Sequence, residues 1–499
     1  MAARRQCDGV GKRGQQHPDH GRAGSEDGRR HRACAVRAAA LVLLAAAWAL
    51  CVPAAHADDA VERGRYLATA GDCMACHTKP TDGKAYAGGY AIASPMGQIW
   101  ASNITPSVKF GIGRYSEADF ERAVRQGIRK DGARLYPAMP YTAYAKLSEQ
   151  DIHDLYAYFM AEVKPVDEVS PSTDLPFPFN MRFSMAGWNL LFLDDAPFVA
   201  EPAKDAQWNR GAYLVEGLEH CGSCHTPRGL LMQEKSSQPL AGGSLGLWYA
   251  PNITSDPVSG IGAWTDQEIT QYLKTGKVSG KAQAGGGMAE AITHSLSHLT
   301  DDDIASIVTY LRTVPPVADA GMTRSASSWS LREGGATTAG EARLRGTSLP
   351  LDNGQVVYDG SCASCHGSRG EGSTDQYYPS LTHNSTVGAA TPQNLLATIL
   401  SGVDREVAGE HVLMPHFSTG SYVQPLTDTE IANVATYVRQ QFGPGDSVSL
   451  DDVKRARAGG PAPLLMTLTT YGLPAAGLLF IGLVYWLWRR RAARRKRGL

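Results

Sequence analysis

The sequence predicts an all-α protein with three consecutive helical domains and one transmembrane helix at the C-terminus. Three observations support this prediction. The pattern Cys-x-x-Cys-His occurs three times at wide spacing, similar amphipathic segments flank each occurrence, and 25 residues without charge stand near the C-terminus. A chain of 499 residues has room for about three domains.

The N-terminal region carries the features of an exported protein. Residues 38–50 are an apolar run that follows an arginine, and Ala55 and Ala57 stand where a signal peptidase reads small residues. We therefore expect residues 1–57 to form an N-terminal extension and a signal peptide, with cleavage before Asp58. A short buried helix is the alternative interpretation of the apolar run.

The cysteines of the exported part form three identical motifs. Cys7, Cys34 and Cys51 fall in the segment that is removed, and all six others belong to Cys-x-x-Cys-His. This pattern attaches c-type haem, because two thiols three positions apart reach the two vinyl groups of one haem and the next histidine ligates the iron. The predicted attachment residues are Cys73, Cys76, Cys221, Cys224, Cys362 and Cys365, and the predicted iron ligands are His77, His225 and His366.

Two other readings of the motif are a zinc half-site and a redox dithiol. Both are disfavoured, because three such motifs in an exported chain leave no cysteine over. We predict three covalently bound haem c groups, numbered haem 1 to haem 3 in chain order, and no disulfide.

A methionine is the predicted second axial ligand of each iron. With histidine opposite, methionine raises the potential and closes the iron to other ligands. Met139 and Met414 each precede a proline, and Met288 follows three glycines. All three stand shortly before the last predicted helix of their repeat. The alternative for a single methionine is an ordinary core residue.

A helix is predicted on either side of each attachment site. The first helix carries a glycine and an aromatic residue, namely Gly64 with Tyr66, Gly211 with Tyr213, and Gly360 with Tyr358. The last helix opens at Ser148, Thr300 or Thr427 with an acidic residue three positions later, which is a capping-box pattern. Apolar residues then recur at helical spacing, so we expect the first helix to pack on the last beside the haem.

These repeats predict three tandem class I cytochrome c domains, which cover residues 58–164, 205–316 and 350–443. The first two share an Asn-Ile-Thr string and a Gly-Ile-Gly string that the third lacks, so they look like one duplicated ancestor.

The segments between the domains differ in composition. Residues 165–204 are rich in proline and aromatic residues and should pack on the first two domains or on a partner. Residues 317–349 are rich in serine, glycine and alanine and are expected to be a flexible linker. Residues 444–463 are a further linker that leads to the membrane.

The C-terminal segment predicts a single membrane crossing. Residues 464–488 carry no charge, and a helix of 25 residues is long enough to cross a bilayer with some tilt. Seven Lys and Arg residues follow within residues 489–499, so the positive-inside rule puts this tail in the cytoplasm. The haem domains then lie in the periplasm, anchored to the inner membrane. An amphipathic surface helix is disfavoured because the segment has no polar face.

The net charge of −1 is a sum over parts of different charge. Residues 58–463 hold 32 basic and 45 acidic residues, while both ends of the chain are basic. This composition argues against nucleic acid as the main partner, because nucleic-acid binding normally needs a basic surface.

Beyond these motifs, the sequence resembles the triheme cytochrome c subunits of bacterial membrane-bound alcohol, gluconate and related sugar dehydrogenases. The matching strings are Leu135–Tyr141, Asn209–Leu214, Cys221–Gly229 and Met288–Glu290, and the likeness covers nearly all of residues 58–445. The resemblance implies a complex with a catalytic subunit that carries a flavin or a pyrroloquinoline quinone. It also implies electron transfer through the haems to ubiquinone or an oxidase.

Three functions are compatible with the sequence. An electron-transfer subunit that is not catalytic alone is favoured, because His/Met ligation leaves no iron site open for a substrate and no other substrate site stands out. A cytochrome subunit of a terminal oxidase is the main alternative. A haem peroxidase is a weaker one, since it needs a displaceable sixth ligand, for which haem 2 with Met288 is the candidate.

Overall fold

The computed structural model describes residues 59–333 and 350–496. The predicted signal peptide with its cysteines, residues 334–349 and the last three residues lie outside the described residues. Chain contacts divide the protein after Asp59, and the haem domains belong to the unit that begins at Ala60. Domains 1, 2 and 3 denote the described parts of the predicted ranges 58–164, 205–316 and 350–443.

Domain 1 consists of helices joined by long loops, with one antiparallel hairpin. The helices are residues 59–70, Cys73–His77, Glu117–Gln126, Tyr141–Tyr144 and Glu149–Ala161, and the hairpin pairs Ala91–Ser94 with Gly97–Trp100. The middle helix begins with a full capping box between Ser116 and Asp119, and it ends at Gly127 in the left-handed conformation.

Domain 2 repeats this order. Its helices are Ala206–Tyr213, Gly222–His225, Asp266–Thr275, Gly287–His294 and Asp301–Leu311, and its hairpins pair Gly243–Leu245 with Trp248–Ala250 and Lys277–Val278 with Ala282–Gln283. A π-helical turn at Leu214–Leu218 follows the first helix. Domain 2 has one residue more than domain 1 between the glycine of the first helix and the first attachment cysteine, and a π turn accommodates such an insertion.

Domain 3 is the shortest of the three and carries the longest strands. Its helices are Gly354–Ser361, Ala363–His366, Gln393–Ser401 and Asp428–Phe442, and its hairpin pairs Val403–Val407 with Glu410–Met414. The predicted all-α class describes the helices of the three domains but omits the four two-stranded hairpins of the described residues.

The first and last helices of each domain cross closely at a glycine. A Cβ atom on Gly64, Gly211 or Gly354 would lie 1.9, 2.0 or 2.2 Å from a carbonyl oxygen of the last helix, so only glycine allows this approach. The predicted packing of first helix on last helix is therefore confirmed. In domain 3 the glycine at the crossing is Gly354. Gly360 lies in the same helix, as expected, but no other side chain or neighbouring element would lie within 4 Å of its Cβ, so it takes no part in the crossing.

The predicted caps of the last helices form at the expected residues. Ser148, Thr300 and Thr427 each accept a hydrogen bond from the backbone three residues on. Only Thr427 has the reciprocal half of the box, supplied by Glu430. In domains 1 and 2 the acidic residue three positions later is Asp151 or Asp303, and it binds a tyrosine of the other domain instead.

Domains 1 and 2 share one hydrophobic core, whereas domain 3 has its own. The shared core includes Leu67, Phe159, Leu214 and Ile307. The core of domain 3 also takes in Val453, from a helix at Leu450–Arg457. That helix lies in the predicted linker 444–463, so this segment packs on domain 3 before it reaches the membrane.

The predicted connectors follow the domains closely. Asn103 of domain 1 donates to the carbonyl oxygens of Val166 and Glu168, and Trp188 donates to Leu231 of domain 2 at 3.0 Å, so residues 165–204 pack on both domains as expected. In the described part of the predicted flexible linker, Arg332 donates a backbone hydrogen bond to Gln441 of domain 3.

The chain ends in a single long apolar helix. A turn of helix at Leu464–Thr467 leads through a π turn at Leu468–Gly472 into a helix at Leu473–Lys496. Within the described residues it is the one helix long and apolar enough to cross a membrane. The helix continues past the predicted end at residue 488 into the basic tail.

Candidate haem sites

Each attachment histidine makes the same hydrogen bond through one ring nitrogen. Nδ1 of His77 lies 2.7 Å from the carbonyl oxygen of Ser102, Nδ1 of His225 lies 2.6 Å from that of Pro251, and Nδ1 of His366 lies 2.9 Å from that of Pro379. A carbonyl oxygen only accepts, so Nδ1 carries the proton and Nε2 keeps a free lone pair. This is the tautomer and orientation that an iron ligand needs.

The repeated Asn-Ile-Thr string builds the acceptor loop in the first two domains. Ser102 and Pro251 each stand immediately before its asparagine. The side chain of Asn103 accepts hydrogen bonds from the backbone and hydroxyl of Thr105, and Asn252 accepts the same two from Thr254. The string, whose role the sequence alone did not reveal, therefore fixes the loop whose carbonyl orients the histidine.

Burial keeps the histidines neutral. It lowers the pKa of His77, His225 and His366, and the single backbone hydrogen bond of each opposes that shift only in part. A neutral imidazole is the form that ligates a metal.

Burial also keeps five of the six attachment cysteines as thiols. It raises the pKa of Cys73, Cys76 and Cys362 to about 12, and it raises the pKa of Cys221 and Cys224 as well. A structural zinc site needs four ligands in close contact. No group of three or more His, Cys, Asp or Glu side chains converges to hold a metal ion in the part of the chain that the structure describes. Two thiols and one neutral imidazole per domain fit a covalently attached haem.

Each predicted methionine lies in the same core as the cysteines of its domain. Met139 and Met288 are half-buried against the shared core, as are Cys73 and Cys221. Met414 is half-buried against the core of domain 3 together with Cys362. These placements support His/Met ligation, which stays a prediction.

Two equivalent segments of different composition lead to Met139 and Met288. These are residues 135–139 in domain 1 and residues 284–288 in domain 2, and each is called the methionine arm of its domain. Leu135 and Ala284 donate equivalent backbone hydrogen bonds to Gly127 and Gly276, at 2.8 Å each. The next three residues are Tyr136, Pro137 and Ala138 in domain 1 but three glycines in domain 2. The indole of Trp248 occupies the space beside the glycines, and a Cβ on Gly286 would lie 2.5 Å from it.

Buried carboxyl groups lie between the haem 1 and haem 2 motifs, and the sequence did not single them out. Glu219 is 8 % exposed, and the hydroxyl of Ser295 donates to it at 3.3 Å. Asp72, next to Cys73, has a buried carboxylate oxygen without a hydrogen-bond partner. Burial raises the pKa of both groups well above the ordinary value, and the negative charge of Asp72 adds to the shift of Glu219.

Several unassigned histidines contact ordinary protein groups. His411 pairs with Asp404 at 2.8 Å, His298 lies 3.0 Å from the carbonyl oxygen of Thr293, and His383 lies 3.2 Å from that of Ser327. Such contacts favour a structural role for these side chains.

Comparison with protein families gives one family, matched three times. A model of the cytochrome c family matches residues 61–161, 209–315 and 351–442. Each match contains one Cys-x-x-Cys-His motif and the methionine predicted to ligate the same iron.

Three curated relatives align with most of the chain. The fructose dehydrogenase cytochrome subunit of Gluconobacter japonicus is 49% identical over 460 residues, which is 89% of this chain and 93% of the relative. The cytochrome c subunit of the quinone alcohol dehydrogenase of Gluconacetobacter polyoxogenes is 38% identical, over 81% of this chain and 86% of the relative. The cytochrome c subunit of the gluconate 2-dehydrogenase of Pantoea cypripedii is 37% identical, over 81% and 90%.

Proposed function

The chain belongs to the cytochrome c family as an electron-transfer cytochrome subunit of a membrane dehydrogenase, and from this premise we propose its place in an electron path. It relays electrons from a periplasm-facing catalytic subunit, which oxidises CH–OH groups of alcohols, gluconate or sugars, to ubiquinone or another component of the respiratory chain. The observation that carries the proposal is the histidine geometry, which recurs in all three domains with Nε2 free.

The residues of the chain determine what three bound haems can do. Bound haem supplies an iron that changes by one electron between the ferrous and ferric states. The neutral histidines would supply one ligand to each iron, and Met139, Met288 and Met414 would supply the other. Iron held in this way would be closed to substrate and would serve outer-sphere electron transfer. The chain therefore needs a catalytic subunit as its electron source.

Domain 2 is the middle of the proposed path. It meets domain 1 through Tyr66 and Asp303, whose oxygens are 2.5 Å apart. It meets domain 3 through Asn394, which hydrogen-bonds both backbone groups of Tyr249 at 2.8 Å. These contacts support a relay in which electrons pass between haem 1 and haem 3 by way of haem 2.

The contact of Asn394 with the hairpin of domain 2 marks the seam between domains 2 and 3. This seam lies close to the start of the apolar C-terminal helix. A Cβ on Gly460 would lie 1.8 Å from the carbonyl oxygen of Gly246, so the chain passes against the hairpin of domain 2 four residues before Leu464. The same hairpin contacts the attachment site of haem 2, since a Cβ on Gly243 would lie 2.6 Å from the carbonyl oxygen of Cys224. These contacts support electron exit to a membrane quinone near this seam.

The basic end of the C-terminal helix supports the proposed topology. Arg489 and Arg490 follow the apolar segment of this helix, and the guanidinium of Arg490 lies 4.2 Å from the ring centroid of Trp486, as in an interfacial aromatic belt. With the basic end in the cytoplasm, the haem domains are periplasmic.

Purification of the intact complex from membranes tests the function. We expect a dehydrogenase subunit carrying flavin or pyrroloquinoline quinone to co-purify, and three haems per cytochrome chain. D-fructose, gluconate and ethanol are the donors to compare, with fructose first because of the relative at 49% identity. One of them should reduce the haems, and added ubiquinone should reoxidise them. Co-purification with a copper–haem oxidase instead, and no reduction by any donor, would support the oxidase alternative.

A further inference from the structure

One arginine of domain 3 is buried inside domain 2. Arg405 lies in the middle of the strand Val403–Val407 and is 3 % exposed. Its Nη1 donates to the carbonyl oxygen of Ala284 at 2.8 Å, and its Nη2 donates to Oε1 of Gln283 at 3.1 Å. A Cβ on Gly276 would lie 2.9 Å from the guanidinium carbon, so the absence of a side chain at residue 276 makes room for the arginine.

The two acceptors of Arg405 lie at the root of the methionine arm of haem 2. Ala284 stands four residues before Met288, and Gly285, Gly286 and Gly287 fill the interval. Gly286 has a φ of +55°, in the region that side chains rarely adopt. Three consecutive glycines have more backbone freedom than any other sequence, so this arm has little stiffness of its own.

The equivalent arm of domain 1 is stiff by itself. Pro137 fixes its own φ, and the hydroxyl of Tyr136 donates to the carbonyl oxygen of Phe179 at 2.8 Å. An arginine also braces this arm from outside, because Arg182 donates to the carbonyl oxygen of Arg134 at 3.0 Å. Arg134 is equivalent to Gln283. The two arms are therefore held at the same position by an arginine, Arg182 on the stiff arm and Arg405 on the glycine arm.

Other groups of domain 3 lie along the glycine arm. A Cβ on Gly285 would lie 3.4 Å from a methyl group of Val403, and Val407 packs against the shared core. One strand of domain 3 therefore covers the arm from its root, where Arg405 binds, towards the helix Gly287–His294 that carries Met288.

We propose that Arg405 is a positioning residue that holds Met288 on the iron of haem 2. Domain 3 thereby controls the sixth coordination position of a haem in domain 2. This role rests on the proposed ligation by Met288, and it predicts that loss of the brace frees the sixth position of haem 2 while haems 1 and 3 stay closed.

Carbon monoxide binding to the dithionite-reduced complex tests the proposal, because carbon monoxide binds ferrous haem only where the sixth position is vacant or its ligand leaves. The wild-type complex should bind none. Arg405→Met, which keeps an unbranched side chain but is shorter and removes the donors, should bind carbon monoxide at one haem of the three with haem content unchanged. Arg405→Lys retains a donor and the charge. This variant should fold, and it should bind distinctly less carbon monoxide than Arg405→Met.

Two further variants separate the possible results. Met288→Ala should bind carbon monoxide at one haem, and no binding there would overturn the ligation and with it the role of Arg405. Binding to Met288→Ala but not to Arg405→Met or Arg405→Lys would leave the ligation intact and overturn the positioning role. Arg182→Met should bind none, because the arm of domain 1 is stiff.

Asn394→Ala weakens the docking of domain 3 at Tyr249 in the hairpin of domain 2, where Asn394 does not contact the arm itself. It should leave haem 2 closed, and binding equal to that of Arg405→Met would show that docking in general, and not Arg405, closes the site. A change confined to haem 2 should also appear as a shifted midpoint potential for one haem and unchanged potentials for the other two. Equal shifts for all three would overturn the proposal.

Discussion

Tyr66 of domain 1 donates a hydrogen bond from its hydroxyl to a carboxylate oxygen of Asp303 in domain 2, 2.5 Å away. The equivalent tyrosine of domain 2, Tyr213, binds the equivalent carboxylate of domain 1, Asp151. In each domain, a tyrosine hydroxyl therefore binds the acidic residue near the start of the last helix of the other domain. This exchange, together with the shared core, joins the first two domains into a pair, whereas domain 3 has a core of its own.

Removal of one of the exchanged hydroxyls should destabilise the pair of domains. A hydrogen bond to a charged group contributes about 1.5–3 kcal/mol, so Tyr66→Phe and Tyr213→Phe should each lower the thermal midpoint of the purified complex. Tyr156→Phe is the matched control, because its hydroxyl donates within domain 1 to the neutral carbonyl oxygen of Tyr115 at 2.8 Å. A loss in the control as large as in the two exchange variants would show that the contact between domains has no special weight.

Loss of the methionine of domain 3 should open its iron without loss of the haem. In Met414→Ala the thioether bonds and His366 remain, so the haem stays attached while the sixth position becomes available. We expect carbon monoxide binding at one haem and a block in electron transfer from donor to quinone. An unchanged spectrum with unchanged turnover would contradict the assignment of Met414.

Removal of both attachment cysteines of one motif should remove one haem. The variant with Cys362→Ser and Cys365→Ser lacks the sulfurs that bind the vinyl groups, so the ratio of covalently bound haem to protein should fall from three to two. Denaturing electrophoresis with haem staining and the pyridine haemochrome assay measure it. An unaltered ratio would refute attachment at these residues.

The buried carboxyl of Glu219 should make stability depend on pH in a defined direction. Burial raises its pKa in the folded protein, so it contributes stability that is fully present below its ordinary pKa of about 4.3 and is lost as pH rises through the folded pKa. Glu219→Gln cannot ionise, so the variant should gain in thermal midpoint relative to the wild type as pH rises from about 4.5 to 8.

A difference between Glu219→Gln and the wild type that stays constant over this pH range would mean that this carboxyl does not stay protonated in the folded protein.

The sequence was most informative where chemistry needs residues that are close along the chain. Two thiols and a histidine within five residues specify haem attachment whatever the surrounding fold, because one haem must meet all three. Helix caps are equally local, which explains why Ser148, Thr300 and Thr427 were predicted correctly as helix starts. The apolar C-terminal segment was also found from sequence, since a membrane span depends on length and the absence of charge.

Only the tertiary structure decided how residues far apart in sequence meet. The carbonyl groups of Ser102, Pro251 and Pro379 orient the histidines as backbone atoms, so residue identity carries no direct signal for them. Gly354, and not Gly360, lies at the helix crossing of domain 3, because a crossing point depends on how two helices pack. The contact of Arg405 with Ala284 spans 121 positions. Local sequence therefore determined what the chain can bind, and packing between domains decided how each ligand is held.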